Sequence, residues 1–243
     1  MKKIFPIVLC LLLLPFSSAR ADFMVRIEEH RDGHYHHGSM EPAEDSEGEI
    51  WFGDSMVSIL HDDRRYIIDT DAEKMIIVEL KDSIYVETSL PLNLASVVPE
   101  EQARRLAMFP TVGEVKKTGE TRRIGGRECS GYMVNTWVMY QGNRYNQRES
   151  RVWVTTDIPV DARLLRAFNR NMIALRNMGE EMASSLMEVE GLNMLSETVE
   201  YSEGAEINSS AKVIECGEME PGRGVYSVPE GFNKQERLSP GRR

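Results

Sequence analysis

The chain has 243 residues, with 39 acidic side chains against 29 basic ones and a net charge of −10. An acidic chain without a block of basic residues is a poor partner for nucleic acid, so we exclude that class of function. About 220 residues remain beyond the N-terminal segment described next, which is enough to bury the core of one domain.

The first 21 residues have the form of a secretory signal peptide. Two lysines precede an apolar run over 4–16, and residues 19–21 read Ala-Arg-Ala, a small-residue cleavage pattern. A permanent membrane anchor is the alternative, but the apolar run is too short to cross a bilayer. We therefore expect a periplasmic or secreted protein that begins at Asp22 and carries 26 basic and 39 acidic side chains, a net charge of −13.

A long β-hairpin over 127–158 is the strongest structural signal in the chain. Its two halves are rich in β-branched and aromatic residues, which suit a pleated sheet. Gly142-Asn143 is predicted as the two-residue turn, because both residues tolerate positive φ. The resulting cross-strand partners are Tyr140 with Tyr145, Trp137 with Arg148, and Tyr132 with Trp153. A slip of one residue would turn every side chain of the hairpin to the other face.

Strands and two helices complete the predicted fold. Further strands are expected over 22–29, 49–60, 64–70, 74–80, 112–124, 192–201 and 211–216. A short helix begins at Pro99 and ends before Pro110, while a long amphipathic helix runs over 161–190 with Asp161 as its N-cap. The sequence therefore predicts an α+β protein, in which a curved antiparallel β-sheet (a half-barrel) wraps around one long helix, with a shorter helix beside it.

Two cysteines remain after removal of the signal peptide. In an oxidising compartment an isolated pair most often forms one disulfide, so we expect a bond between Cys129 and Cys216. Two buried free thiols are the alternative.

Several turn and strand motifs resemble a family of exported bacterial proteins whose fold is related to the lipoprotein carriers LolA, LolB and LppX. The motifs are residues 67–75, 124–132, 152–159 and 225–232. All are structural, so the resemblance bears on fold more than on function. It implies one LolA-like domain over 22–232 and a half-barrel hollow in which the carriers hold acyl chains. Beyond this domain, we expect a disordered C-terminal tail over 233–243.

An apolar hollow between the hairpin and the long helix is the first candidate site. A lipid or a lipoprotein acyl chain is the expected partner, since methionine adapts to irregular apolar surfaces. The predicted lining residues are Met133, Trp137, Met139, Val152, Met172, Met178 and Met182. An ordinary methionine-rich core is the alternative, and the hairpin face with Tyr132, Val134 and Val138 is the other candidate for the buried side.

A histidine-rich loop is the second candidate site. His34, His36 and His37 carry imidazoles, which commonly bind zinc, copper and nickel, although their spacing matches no standard zinc motif. An exposed polar loop is the alternative. The third candidate is the apolar loop over 90–98, which would serve as a contact for an envelope protein partner.

No catalytic motif is present in the sequence. A nucleophile elbow is absent, and Pro221-Gly222-Arg223-Gly224 lacks the lysine and the following helix of a phosphate-binding loop. We therefore expect no enzymatic activity and no cofactor. The predicted function is non-catalytic binding of a lipid-like or other apolar ligand, with transition-metal binding or an envelope protein interaction as alternatives.

Overall fold

A computed structural model describes residues 21–36, 39–202 and 204–239. The signal peptide predicted over 1–21 therefore lies, apart from Ala21, outside the described residues. Fourteen strands are present in the described part of the chain. They are β1 (Asp22–Arg31), β2 (His34–His36), β3 (Ser39–Glu41), β4 (Glu44–Phe52), β5 (Met56–His61), β6 (Arg64–Asp69), β7 (Lys74–Glu79), β8 (Ile84–Ser89), β9 (Thr111–Ile124), β10 (Arg127–Tyr140), β11 (Asn143–Thr155), β12 (Leu192–Ser202), β13 (Ala205–Met219) and β14 (Asn233–Gln235).

Twelve of these strands form one curved, unclosed sheet. Its order is β14-β8-β7-β6-β5-β4-β1-β13-β12-β11-β10-β9, and every neighbouring pair is antiparallel except β14 and β8. Strands β2 and β3 form a separate two-stranded hairpin after β1. A twisted sheet of this width curls because the right-handed twist accumulates from strand to strand. The α+β class predicted from the sequence is consistent with this arrangement.

Four short helices accompany the sheet. They are α1 (Leu94–Val97), α2 (Glu100–Met108), α3 (Ala162–Leu175) and α4 (Glu180–Met187). The prediction of a helix between Pro99 and Pro110 is confirmed by α2. Asp161 is also confirmed as an N-cap, since its carboxylate accepts hydrogen bonds from the backbone N–H groups of Arg163 (2.8 Å) and Leu164 (3.4 Å).

The single long helix predicted over 161–190 is wrong, because the chain breaks between α3 and α4. Asn177 adopts a φ of +51°, a left-handed conformation that ends a helix. At the break, backbone groups that would bond within a continuous helix bond instead to Thr111, the first residue of β9. Thr111 N–H donates to the Asn177 carbonyl, and Gly179 N–H donates to the Thr111 carbonyl. The interruption therefore comes from a contact distant in sequence, which the helical periodicity of 161–190 does not reveal.

One core lies between the sheet and α3. We define the inner face as the face of β1 that carries Phe23, Val25 and Ile27, and the outer face as the opposite one. Phe52, opposite Phe23 in the sheet, meets Phe168 of α3 edge to face, with ring centroids 5.4 Å apart. Such an aromatic pair is worth about 0.5–1.5 kcal/mol beyond its buried area. Helix α3 therefore packs on the inner face.

The segment over 221–232 contacts the outer face at β1 and β6. Arg65 donates a hydrogen bond to the Gly224 carbonyl (2.7 Å), and Tyr226 donates one to Asp22 (2.5 Å). Met24 and Ile67, which alternate with the inner-face residues of the same two strands, are fully buried. The sheet is thus packed on both faces in this half.

The disordered tail predicted from Asn233 differs from the structure over 233–239. Strand β14 pairs in parallel with β8, and Leu238 is buried, with its N–H bonded to the Val97 carbonyl. A single apolar side chain and an exposed sheet edge anchor this segment, and neither gives a periodic signal in the sequence. Residues 240–243 lie outside the described residues.

The apolar loop over 90–98 belongs to the core. Leu92, Val97 and Val98 are buried in the same cluster as the sheet, and Leu92 N–H donates to the buried Asn171 side chain. These side chains are therefore not free for a partner protein, contrary to the interaction role considered from the sequence.

The β10–β11 hairpin is present, but its predicted register is wrong. Gln141 and Gly142 occupy the turn with φ of +50° and +80°, so Tyr140 faces Asn143, two residues from the predicted partner. A register shift between Thr136 and Val138 leaves the pairs beyond it one residue from the prediction, and Tyr132 faces Val152 rather than Trp153. A difference of one residue changes the face, so the face assignments made from the sequence are wrong in this part of the hairpin.

The predicted disulfide between Cys129 and Cys216 is not formed, and both residues are free thiols. Cys129 lies on β10 and Cys216 on β13, with β11 and β12 between them. Three strand spacings correspond to about 14 Å along the sheet, whereas a disulfide joins Cα atoms roughly 4.4–6.8 Å apart. The alternative of two free thiols therefore describes the structure.

Candidate functional site

The inner face of the half of the sheet formed by β10–β13 and β1 is the candidate site. Residues directly opposite each other on neighbouring strands share a face, so the register divides this face into rows. The first row, next to the core, is Tyr132, Val152, Ser196, Ala211 and Glu29. The second is Val134, Ser150, Thr198, Ser209 and Arg31, and the third is Thr136, Arg148, Glu200 and Ile207.

Polarity changes along the first two rows, from β10 to β1. Both rows begin with half-buried apolar residues on β10 and β11: Tyr132, Val134 and Val152. In the second row Ser150 and Thr198 bond to each other through their hydroxyl groups (2.8 Å), and on β1 the two rows end at Glu29 and Arg31. Along these rows the surface thus passes from apolar side chains through hydroxyl groups to charged groups.

Ion pairs crowd the far end of this face. Glu200 is bridged by Arg148 (3.1 Å) and by Arg31 (3.5 Å), and its side chain is only 15% exposed. The two arginines hold the Glu200 carboxylate between them. Arg31, Arg148 and Glu200 therefore form a group with one more positive than negative charge.

Arg176, at the end of α3, faces this charged end and lies near Glu29 and Arg148. Loss of hydration lowers the pKa of Arg176, repulsion from Arg148 adds to the effect, and Glu29 opposes it. Its side chain nevertheless remains accessible to water. In the described part of the chain, no carboxylate lies within ion-pair distance of Arg176. A guanidinium in this position offers its donors to a bound anion.

A histidine–carboxylate pair borders the same region. His61 Nε2 lies 3.2 Å from Glu29 Oε2. The contact with Glu29 raises the pKa of His61, and the contact with His61 lowers the pKa of Glu29. The charge of this border therefore changes with pH near neutrality, because a raised histidine pKa moves toward physiological values.

The structure does not bring the seven predicted hollow residues together. Met133 faces Arg151 on the outer face, whereas Val152 lies on the inner face. Met182 is buried on α4, and Met172 is half-buried against the core. The remaining three lie toward the tip of the β10–β11 hairpin and the helix break: Trp137, Met139 and Met178.

The alternative hairpin face in the sequence analysis, with Tyr132 and Val134, is the one that carries the inner rows. Sequence reasoning missed Arg148, Arg176 and Glu200 altogether. Only the strand register could identify Arg148 and Glu200, because a charged residue on a strand is expected to face solvent until its cross-strand partners are known.

The outer face behind these rows holds two open depressions of about 420 and 480 Å³. The first includes Met133, Arg151, Glu197 and Ser210, and both include His30. His30 contacts Asp45 and Asp32, which raise its pKa, so this imidazole is already paired with two carboxylates.

The histidine-rich loop forms the β2–β3 hairpin. His34 is buried, with Nε2 3.2 Å from Glu41 Oε2. Within 21–36, 39–202 and 204–239, no group of three or more His, Cys, Asp or Glu side chains is arranged to hold a metal ion. His37 and the side chain of His36 lie outside the described residues. Metal binding by His34, His36 and His37 therefore stays a prediction.

Fold and site together define a curved, single-sheet α+β protein with a polarity gradient on its inner face. Neither a protein-family model nor a curated protein matches the chain. One similar solved structure is described as a putative outer membrane lipoprotein-sorting protein domain from Vibrio parahaemolyticus, with 5% sequence identity and a TM-score of 0.26 over 82% of this chain and 85% of that one. The two backbones agree too weakly for the likeness to bear on function. In the described residues, no helix is long and apolar enough to cross a membrane.

Proposed function

We propose that this protein is a non-catalytic binding protein of the periplasm or the extracellular space, and that it holds an amphipathic ligand on its inner face. The ligand class is lipid-like: an apolar tail with an anionic head group. The observation that carries the proposal is the order of side chains along the first two inner rows, from apolar on β10 and β11 through hydroxyl to charged on β1. A ligand with a matching gradient can lie along both rows.

The tail would contact the β10–β11 end of the first two rows. Tyr132, Val134 and Val152 are only half-buried, so part of their apolar surface remains for a ligand. Burial of apolar surface contributes about 25 cal/mol per Å². A tail that covers these side chains therefore supplies the main driving force for binding.

The head group would contact Arg176 and Arg148. Arg148 is shared with Glu200, while no carboxylate in the described chain is within ion-pair distance of Arg176. A planar guanidinium binds carboxylate or phosphate oxygens with two parallel hydrogen bonds. These two residues would therefore orient the ligand with its head at the open end.

Titration with the fluorescent fatty acid cis-parinaric acid tests the tail contact. The variant Val134→Lys places a charge in the second inner row, and the matched control Met133→Lys places the same charge one residue away on the outer face. We expect Val134→Lys to weaken binding about tenfold or more, as the loss of one buried aliphatic contact predicts, and Met133→Lys to leave it unchanged. Equal binding by both variants, or no saturable binding by the wild type, contradicts the proposal.

A second titration tests the head-group contact. The methyl ester of cis-parinaric acid retains the tail but has no charge. Arg176→Gln should weaken binding of the acid and leave binding of the ester unchanged, since only the acid can pair with the guanidinium. An equal loss for both probes would show that Arg176 acts through the fold and not through the head group.

A further inference from the structure

Exposed apolar side chains are concentrated at one end of the sheet. The described residues expose nine large apolar side chains. Seven lie at the end where β1, β10 and β12 finish: Tyr35, Met40, Met108, Met139, Tyr140, Tyr145 and Tyr201. Four of these, Met108, Met139, Tyr140 and Tyr145, lie at the tip of the β10–β11 hairpin and the end of α2, with Tyr140 and Tyr145 on one face of the hairpin and Met139 on the other. Contiguous exposed apolar surface on a water-soluble protein marks an interaction site.

We define the tip patch as Met108, Trp137, Met139, Tyr140, Arg144 and Tyr145. Its rings are held in place by contacts with one another. Tyr140 meets Phe109 and Tyr145 edge to face, with centroids 5.6 and 6.1 Å apart. The Arg144 guanidinium lies 3.9 Å above the Trp137 ring. The tip patch is thus an ordered surface and not a set of isolated side chains.

The tip patch also differs in charge from the rest of the chain. From Thr136 to Arg148 the hairpin carries two arginines and no acidic residue, and since Arg148 is paired with Glu200 of β12, Arg144 supplies the positive charge of the tip patch. The chain beyond the predicted signal peptide has 39 acidic against 26 basic side chains. Because the rest of the protein is negative, a positive tip favours contact of this end of the hairpin with an anionic surface.

We infer that the tip patch docks the protein on an anionic lipid bilayer. Tyrosine and tryptophan are the residues that prefer the boundary between lipid and water, because their rings combine an apolar body with a polar edge. Methionine adds flexible apolar contact, and arginine pairs with lipid phosphate. Attraction between basic groups and anionic lipid adds to burial of the rings, as in proteins that lie on a membrane without crossing it.

The inner rows end at the same edge of the sheet as the tip patch. The third inner row contains Thr136, which directly precedes Trp137 on β10, and Arg148, which lies three residues after Tyr145 on β11. Docking at the tip would bring the charged end of the inner face to the lipid surface. The docking inference does not depend on the proposed ligand, because the exposed aromatic tip is an independent observation.

Vesicle flotation with the full chain from Asp22 tests the inference. The vesicles are phosphatidylcholine alone, or phosphatidylcholine with about one third phosphatidylglycerol. We expect the wild type to float with the mixed vesicles and to do so at least fivefold less with the neutral ones. Binding to neither kind of vesicle, or equal binding to both, overturns the inference.

Variants separate the tip patch from general stickiness. Tyr140→Ser combined with Tyr145→Ser should abolish flotation, and Arg144→Glu should reduce it about fivefold or more. The matched control is Ile214→Ser combined with Met219→Ser, which removes two equally exposed apolar side chains elsewhere on β13. Loss of flotation in the control, or retention in the tyrosine variant, overturns the inference, and far-ultraviolet circular dichroism confirms that each variant is folded.

Trp137 provides a second readout that does not need a variant. The other two tryptophans, Trp51 and Trp153, are buried in the fold. Brominated lipid should therefore quench Trp137 selectively when the tip enters the bilayer surface. An unquenched spectrum in the presence of bound vesicles would show that the protein docks through a different surface.

Discussion

The phenol of Tyr226 donates a 2.5 Å hydrogen bond to the carboxylate of Asp22 across 204 residues of sequence. Asp22 begins β1, and Tyr226 lies in the segment that covers the outer face. Burial raises the pKa of Tyr226, and the bond to Asp22 raises it further, so the phenol stays protonated as a donor. The two ends of the chain are thereby joined at the sheet.

Loss of this hydrogen bond should destabilise the protein. We expect Tyr226→Phe to lower the free energy of unfolding by about 1–2 kcal/mol, because a hydrogen bond to a charged group is removed and the ring is retained. Urea denaturation measures the change. The matched control is Tyr35→Phe, at a side chain that is 67% exposed. If both variants lose the same amount, the bond to Asp22 contributes nothing.

The pair of His61 and Glu29 predicts a pH dependence of stability. The raised pKa of His61 means that its contribution is complete below the ordinary value of 6.5 and is lost as the pH rises through the folded-state pKa. The lowered pKa of Glu29 means that its contribution is complete above 4.5 and is lost as the pH falls through the folded-state pKa. The pair should therefore stabilise the fold most between about pH 4.5 and 6.5.

The variant His61→Gln measures this contribution. Both side chains are more than a third exposed, so solvent screening limits the effect to about 0.5 kcal/mol. We expect the difference in unfolding free energy between wild type and variant to be present at pH 5.5 and to be lost as the pH rises through the folded-state pKa of His61. Asp62, Glu44 and Arg176 also act on the pair, so Glu29→Gln serves as the control and should remove the same dependence. A difference in unfolding free energy that grows toward high pH would contradict stabilisation of the fold by the pair of His61 and Glu29.

Local signals in the sequence were sufficient for several elements. The acids after Pro99 and the proline at 110 bound α2, and the side chain of Asp161 caps α3. The hairpin was also evident from its aromatic and β-branched residues. Each of these features depends on residues that are close together in the chain, which is the range that propensity and capping rules describe.

Features that depend on distant contacts were not predictable in the same way. The helix break requires Thr111, far from Asn177 in sequence. The candidate site required the register of five strands. No local signal marks the register shift between Thr136 and Val138, so the prediction placed Met133 with Val152 when they lie on opposite faces. Alternation along a strand gives two possible faces, and only the packing of α3 decides which one is inside.

Asn177 should be essential for the break between α3 and α4. Its side-chain amide donates hydrogen bonds to the carbonyls of Leu106 (3.0 Å) and Phe109 (3.3 Å), which end α2. Asn177→Ala removes both bonds and places a Cβ residue at positive φ, so we expect a loss of about 2–4 kcal/mol in unfolding free energy. Thermal unfolding followed by circular dichroism measures it.

The variant Asn177→Gly separates the two causes. Glycine accepts the left-handed backbone but cannot make the side-chain bonds, so its loss should be about 1–2 kcal/mol smaller than that of alanine. Equal losses would assign the whole effect to the hydrogen bonds. No loss in either variant would mean that Thr111 alone holds the break.

The turn of the β10–β11 hairpin offers a direct test of the register on which the inner rows depend. Gln141 adopts positive φ in the turn, and Asn143 is the first residue of β11, opposite Tyr140. Asparagine tolerates positive φ better than glutamine, so Gln141→Asn should raise the free energy of unfolding by about 0.5 kcal/mol. Asn143→Gly places glycine in a strand and should lower it by about 0.5–1 kcal/mol. A turn at Gly142-Asn143 predicts the opposite for the second variant, because glycine is favoured in the turn itself. Stabilisation by Asn143→Gly would therefore contradict the pairing of Tyr140 with Asn143 and change the β11 partner of each inner-row residue on β10.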